Sequence, residues 1–131
     1  MWERWNSYTI KDGFGDVNMN SFNHYAYGAV HEWVMRHICG IQLTAPGGKE
    51  ICFAIEPDIR LGFVNSSLIT PYGKVESNWK VAEDKIIWHI SAPANTRIYV
   101  KIPTGYCCNN ATEKLPCGSY DLALTPETKG K

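Results

Sequence analysis

Lys74-Val75-Glu76-Ser77-Asn78-Trp79-Lys80-Val81 sets apolar or small residues against charged or amide residues at every second position. Successive side chains of a β-strand point to opposite faces, so this is the pattern of a strand with one face buried and one in water. Downstream, Glu83-Asp84 reads as a tight turn into a second alternating run through Ile86, Trp88 and Ile90. Pro93-Ala94-Asn95 reads as another turn, before Ile98, Val100 and Ile102, and Tyr120, Leu122 and Leu124 supply a last strand. Upstream, Ile51, Phe53 and Ile55 alternate in the same way. Turn signals about every eight to twelve residues predict a mainly β fold, an antiparallel β-sandwich.

The first forty residues have a different period. Ser21 to Cys39 predicts one long helix, with Asn20 or Ser21 as its cap and Gly40 as its stop. On a helical wheel Phe22, Tyr25, Ala26, Ala29 and Trp33 share one face, with Trp33 assigned to core, and Tyr27, Val30, Val34 and Ile38 widen it. The apolar arc reaches roughly 200°, about twice the stripe of a helix packed on a single core. Such a helix calls for neighbours on several sides. Ala45-Pro46-Gly47-Gly48 is the best linker-like break, which divides the chain into residues 1–44 and 45–131.

Composition narrows the class. With 44% hydrophobic and 20% charged residues, the 131-residue chain has the make-up of a folded globular protein. Thirteen basic residues balance thirteen acidic ones without a basic stripe, so no nucleic-acid partner is expected. The longest mostly apolar stretch, residues 25–41, is interrupted by His31, Glu32, Arg36 and His37, and no membrane span is expected. Cys39, Cys52, Cys107, Cys108 and Cys117 form no CxxC pair; free thiols are the favoured reading, with one loop bridge among the last three left open. Asn65-Ser66-Ser67 and Asn110-Ala111-Thr112 are sequons, common and weak motifs.

Two short blocks carry the chemistry. In Trp2-Glu3-Arg4-Trp5 a carboxylate lies between two indoles, which exclude water and offer flat apolar faces suited to sugar rings. Taken alone, a Glu beside Arg4 is more often a solvated surface group, and Trp2 and Trp5 serve equally well as core or as sugar platforms. Asn23-His24-Tyr25 falls at the start of the expected helix, where an imidazole can both donate and accept hydrogen bonds. His24 and His31 lie two turns apart, too far for one ion, and His37 points elsewhere; neither a metal nor a cofactor is expected.

Trp2-Glu3-Arg4-Trp5 and Asn20-Ser21-Phe22-Asn23-His24-Tyr25-Ala26-Tyr27-Gly28 together resemble the end of the catalytic domain of bacterial α-L-rhamnosidases, a glycoside hydrolase family. Ser67-Leu68-Ile69-Thr70-Pro71-Tyr72-Gly73, continuing to Trp79, resembles the opening strands of the β-sandwich that follows that barrel. The resemblance covers residues 2–103. It implies the last helix of an α/α barrel before the sandwich, with Glu3 as the general base of an inverting hydrolysis. It further implies that His24, Asn23, Trp2 and Trp5 contact a rhamnose-containing carbohydrate. The family's general acid lies upstream of these motifs, so the chain is expected to be a C-terminal fragment, inactive without its upstream catalytic domain. An uncovered helix would then favour dimers or aggregates. The rival readings are a stand-alone carbohydrate-binding module, marked by an aromatic platform on the sheet, and a structural accessory domain.

Overall fold

A computed structural model describes residues 1–108 and 113–127, apart from the side chain of Tyr27; the Asn110 sequon lies outside these residues. The chain divides into two compact units, Met1–Trp33 and Val34–Lys131. The first holds a two-stranded ribbon of β1 (Tyr8–Thr9) and β2 (Gly13–Phe14), 3₁₀ turns at Val17–Met19 and Ala26–Gly28, and a short helix α1 (Ala29–Trp33). The second opens on a π-helical turn, Val34–Ile38, and continues as β3 (Ile41–Leu43), β4 (Glu50–Phe53), β5 (Phe63–Thr70), β6 (Gly73–Ala82), β7 (Lys85–Val100), β8 (Tyr106–Cys107) and β9 (Lys114–Pro126).

The mainly β expectation holds. Val75, Ser77 and Trp79 of β6 all point inward, as the alternation predicts, and Trp88 of β7 is wholly buried beside Phe53, their rings perpendicular at 6.4 Å. Ile86, Ile90, Ile98, Val100, Leu122 and Leu124 complete the core. β5, β6 and β7 form a meander. Its first turn, Pro71-Tyr72, is fastened by the Thr70 hydroxyl, which donates to Gly73 O and accepts from Tyr72 N–H. Gly73 has φ +134°, which L side chains rarely adopt, and a Cβ there would press against Pro93, so the position favours glycine.

Three expectations need correction. The sheet is mixed and not wholly antiparallel, because β4 runs parallel to β7. Local alternation shows that a segment is a strand but not its partner; here the β5–β6 hairpin is the crossover that lets β4 and β7 run in the same direction. Pro93-Ala94-Asn95 is not a turn between strands. It lies within the single strand β7, where the pairing with β9 jumps from Ala92↔Gly118 to Arg97↔Pro116, a bulge with Asn95 at φ +64°. β9 follows one edge of β7 across that bulge, while the other edge carries β6 before it and β4 after it.

The long helix is the third. Its helical residues begin at Ala26, not Ser21, and Trp33, expected in the core, is 49% exposed. Residues 21–24 are diverted because their backbone has other partners: Glu3 N–H donates to Ser21 O, and His24 N–H to Met1 O, both at 2.8 Å. The stop at Gly40 is as expected. Gly40 sits at φ +71°, where an added Cβ would lie 2.5 Å from Ile55 Cγ2. A helix end leaves its last carbonyls unpaired, and the sheet takes them up. Glu56 N–H binds His37 O, Trp79 Nε1–H binds Ile38 O, and the Ser77 hydroxyl donates to Cys39 O.

Candidate functional site

The N-terminal unit brings Glu3 and His24, 21 positions apart in sequence, into one place. The two backbone hydrogen bonds just described run residues 1–3 alongside 21–24, and a third contact uses the side chain itself: Ser21 N–H donates to Glu3 Oε2 at 3.0 Å. The other carboxylate oxygen, Oε1, lies 4.0 Å from His24 Nδ1. Glu3 is the more sheltered of the pair, with its side chain 20% exposed against 33% for His24. His24 lies in the irregular, bent stretch ahead of the 3₁₀ turn, and its ring stacks on Tyr25, with 5.9 Å between centroids and 11° between planes. The expected place in the first turn of a helix is thus corrected, for the backbone reason given above. The proximity to Glu3 is what this geometry offers instead.

A cleft of about 870 Å³ adjoins Glu3, its lining including Met1, Trp2, Arg4, Trp5 and Asn6. That volume falls within the usual range for small-molecule sites, about 300–1,000 Å³. Trp2 is half exposed and Trp5 fully so, while Asn23 is exposed on the second segment. Neither indole is core. Arg4, which sequence reading treated only as a neighbour of Glu3, has a buried Nε with no hydrogen-bond partner among the described residues. Ser21 reads in the sequence only as a helix cap; its role as an amide donor to Glu3 depends on a contact across 18 positions that no local pattern signals. Asp12 and Asp16 are committed to turns, Asp12 with Thr9 and Asp16 with the Asn18 amide. Among the described residues no cluster of His, Cys, Asp or Glu is arranged to hold a metal, and no helix is long and apolar enough to cross a membrane.

The outer face of the sheet has a different character. Asn65, Asn78, His89 and Asp121 lie directly opposite one another on β5, β6, β7 and β9, and His89 Nδ1 meets Asp121 Oδ1 at 2.7 Å. The next row is Ser67, Glu76, Ser91 and Ser119, with the last two hydroxyls 2.8 Å apart. Neither row contains a Phe, Tyr or Trp.

Comparison with known proteins gives a consistent result across the chain. A model of the bacterial α-L-rhamnosidase C-terminal domain matches residues 40–113, and one of the bacterial α-L-rhamnosidase six-hairpin glycosidase domain matches residues 1–38. An α-L-rhamnosidase of Formosa agariphila is 42% identical over 104 residues, covering 79% of this chain and 11% of the relative. One from Alteromonas sp. is 35% identical over 138 residues, covering 98% of this chain and 15% of the relative. The crystal structure of Streptomyces avermitilis α-L-rhamnosidase complexed with L-rhamnose superposes with a TM-score of 0.64 at 29% identity, covering 96% of this chain and 13% of that one. The chain therefore spans only a small part of the length of the proteins it matches.

Proposed function

The chain belongs to the bacterial α-L-rhamnosidase family, and we propose that it supplies the base-bearing end of an inverting glycosidase that removes terminal α-L-rhamnose from glycosides. Residues 1–44 form the end of the catalytic barrel in this reading, and residues 45–131 the closing β domain. The observation that carries it is the placement of Glu3 against His24 beside an indole-flanked cleft. Ser21 N–H occupies Oε2 and fixes the carboxylate, which leaves Oε1 to take a proton from water as it attacks the sugar. His24 and Asn23 hydrogen-bond the sugar hydroxyls, and Trp2 and Trp5 cover its apolar faces. No metal enters the mechanism.

Inverting hydrolysis needs a second carboxyl, about 6.5–9.5 Å from the base, to protonate the leaving oxygen. Asp12 and Asp16 are tied into turns, and the relatives are several times longer than this chain. We therefore assign the acid to a domain outside these residues, and the chain alone is inactive. General acid assistance is worth about 10²–10⁴-fold, and substrate positioning more. The binding-module reading is less well supported, because the two central rows of the outer sheet face are polar and carry no Phe, Tyr or Trp.

The test is turnover of an aryl α-L-rhamnoside by the purified chain. None is expected. Turnover that disappears in Glu3→Gln would sink the fragment account and require an acid within these residues. In a longer protein that joins this sequence to its barrel, Glu3→Gln should abolish kcat with KM little changed, and His24→Ala should impair both.

A further inference from the structure

Four aromatic rings in the N-terminal unit form a chain of perpendicular contacts that ends at the cleft. Trp2 meets Phe22 at 5.0 Å between centroids with planes at 82°, Phe22 meets Phe14 at 5.7 Å and 90°, and Phe14 meets Tyr8 at 5.1 Å and 67°. These are the edge-to-face geometries that aromatic quadrupoles favour. The rings are not there as ordinary core. Phe14 is 72% exposed, and Trp2, Tyr8 and Phe22 are each more than a third exposed. Rings held perpendicular to one another while largely open to water are oriented more than they are buried.

We propose that Phe22 is a positioning residue, which sets the plane of the Trp2 indole for stacking on a sugar ring, with Phe14 and Tyr8 as its backing. The proposal rests on the reading of Trp2 as a sugar contact. An exposed indole on a chain end would sample several rotamers and lose that freedom on binding. Phe22 prevents this because its own backbone is pinned on both sides. Ser21 exchanges hydrogen bonds with Glu3, and His24 N–H is held by Met1 O. The segment that fixes the Glu3 carboxylate thus also fixes the ring that braces Trp2, so base and platform are registered to each other. Phe14 is fixed in turn by the ribbon, where it pairs directly with Tyr8.

The test is a titration of the ¹⁵N-labelled chain with L-rhamnose, following the indole N–H signals. In the wild type the Trp2 signal should shift saturably. Trp79 and Trp88, buried and hydrogen-bonded through Nε1, should not move, and they also report that the fold is intact. Phe22→Leu keeps an apolar side chain but removes the ring, and should raise the apparent dissociation constant roughly 2- to 10-fold, the equivalent of one aromatic pair. Phe22→Tyr should restore it, and Phe14→Leu, one ring further back, should raise it by less. An unchanged dissociation constant in Phe22→Leu, with Trp2 still responding, would overturn the positioning role and leave the sugar contact standing. A wild-type Trp2 signal indifferent to rhamnose would overturn both, and would do so before any variant was made.

Discussion

Ser77→Ala removes a single oxygen from the centre of the β unit and should cost far more than an average surface change. Ser77 is wholly buried, and its hydroxyl donates to Cys39 O at 2.5 Å while accepting from Trp88 Nε1–H at 3.0 Å. Alanine strands both partners in the core. Each unsatisfied buried group costs about 1–3 kcal/mol, which gives roughly 2–6 kcal/mol for the pair. One hydroxyl oxygen leaves too little room for a water to replace it. Against a domain stability of about 5–15 kcal/mol, this is a large fraction. The assay is urea unfolding followed by tryptophan fluorescence. With a slope of about 1–3 kcal/mol per molar urea, the midpoint should fall by about 1 M or more. Ser91→Ala is the matched control, since its hydroxyl contact with Ser119 is exposed, and it should stay within about 0.5 kcal/mol of wild type. If the two midpoints coincide, the buried relay from Trp88 to the helix end contributes nothing and the reasoning fails.

Other expectations are as direct. The Arg60 guanidinium beside Asp58 holds its carboxyl down at about 2. Any stabilisation from this exposed pair is therefore complete above the ordinary value of 3.8 and fades as pH falls through about 2; carboxyl ¹³C titration should show that midpoint, and Arg60→Gln should return it toward the ordinary value. Burial pushes the Cys52 thiol up, an effect that Lys101 only partly offsets, so iodoacetamide should label the exposed Cys107 and Cys117 first, and the buried Cys39 and Cys52 only on unfolding. Trp5, Ile10, Val17 and Tyr25 are almost fully exposed, in a protein class where apolar patches beyond about 300–600 Å² are rare. Light scattering should therefore show dimers or aggregates, and a clean monomer that binds no hydrophobic dye would count against an uncovered barrel helix.

What was legible in the sequence follows from the range of the forces involved. Period-two alternation records which side of a strand is buried, and Val75, Ser77, Trp79, Ile86, Trp88 and Ile90 all face inward as it predicts. It carries no information on which strand lies alongside, so the parallel pairing of β4 with β7 was not visible. Pro93-Ala94-Asn95 has turn chemistry, and the chain does depart from regular geometry there. Whether such residues reverse a strand or bulge it depends on the strand opposite, β9, some twenty residues away. The wheel drawn from Ser21 failed for a related reason. Helical propensity is local and weak, and residues 1–3 offered the backbone of 21–24 a competing set of hydrogen bonds. The same contacts build the site: the segment that departs from the helix carries the Ser21 amide to Glu3 Oε2. The residue types at the site were readable from the two short blocks, but the arrangement was not.

The two faces of the sheet also bear on where any sugar chemistry lies. A β domain that binds carbohydrate on its surface needs rings in open positions, because the apolar face of a sugar stacks on aromatic carbon. Here Trp79 and Trp88 are 1% and 0% exposed, and their indole N–H groups are already committed to Ile38 O and Ser77 Oγ. Neither can turn outward without breaking the core and stranding a donor. The outward positions next to them along the strands carry Asn65, Asn78, His89 and Asp121, a row able to hydrogen-bond but without a Phe, Tyr or Trp. The open indoles are Trp2, Trp5 and Trp33, all in the N-terminal unit, and two of them line the cleft beside Glu3. Stacking surface and candidate base thus coincide in one unit, while the sheet's two tryptophans serve to fill its core and hold the helix end, and Phe63, at the start of β5, is the exposed ring on its outer face.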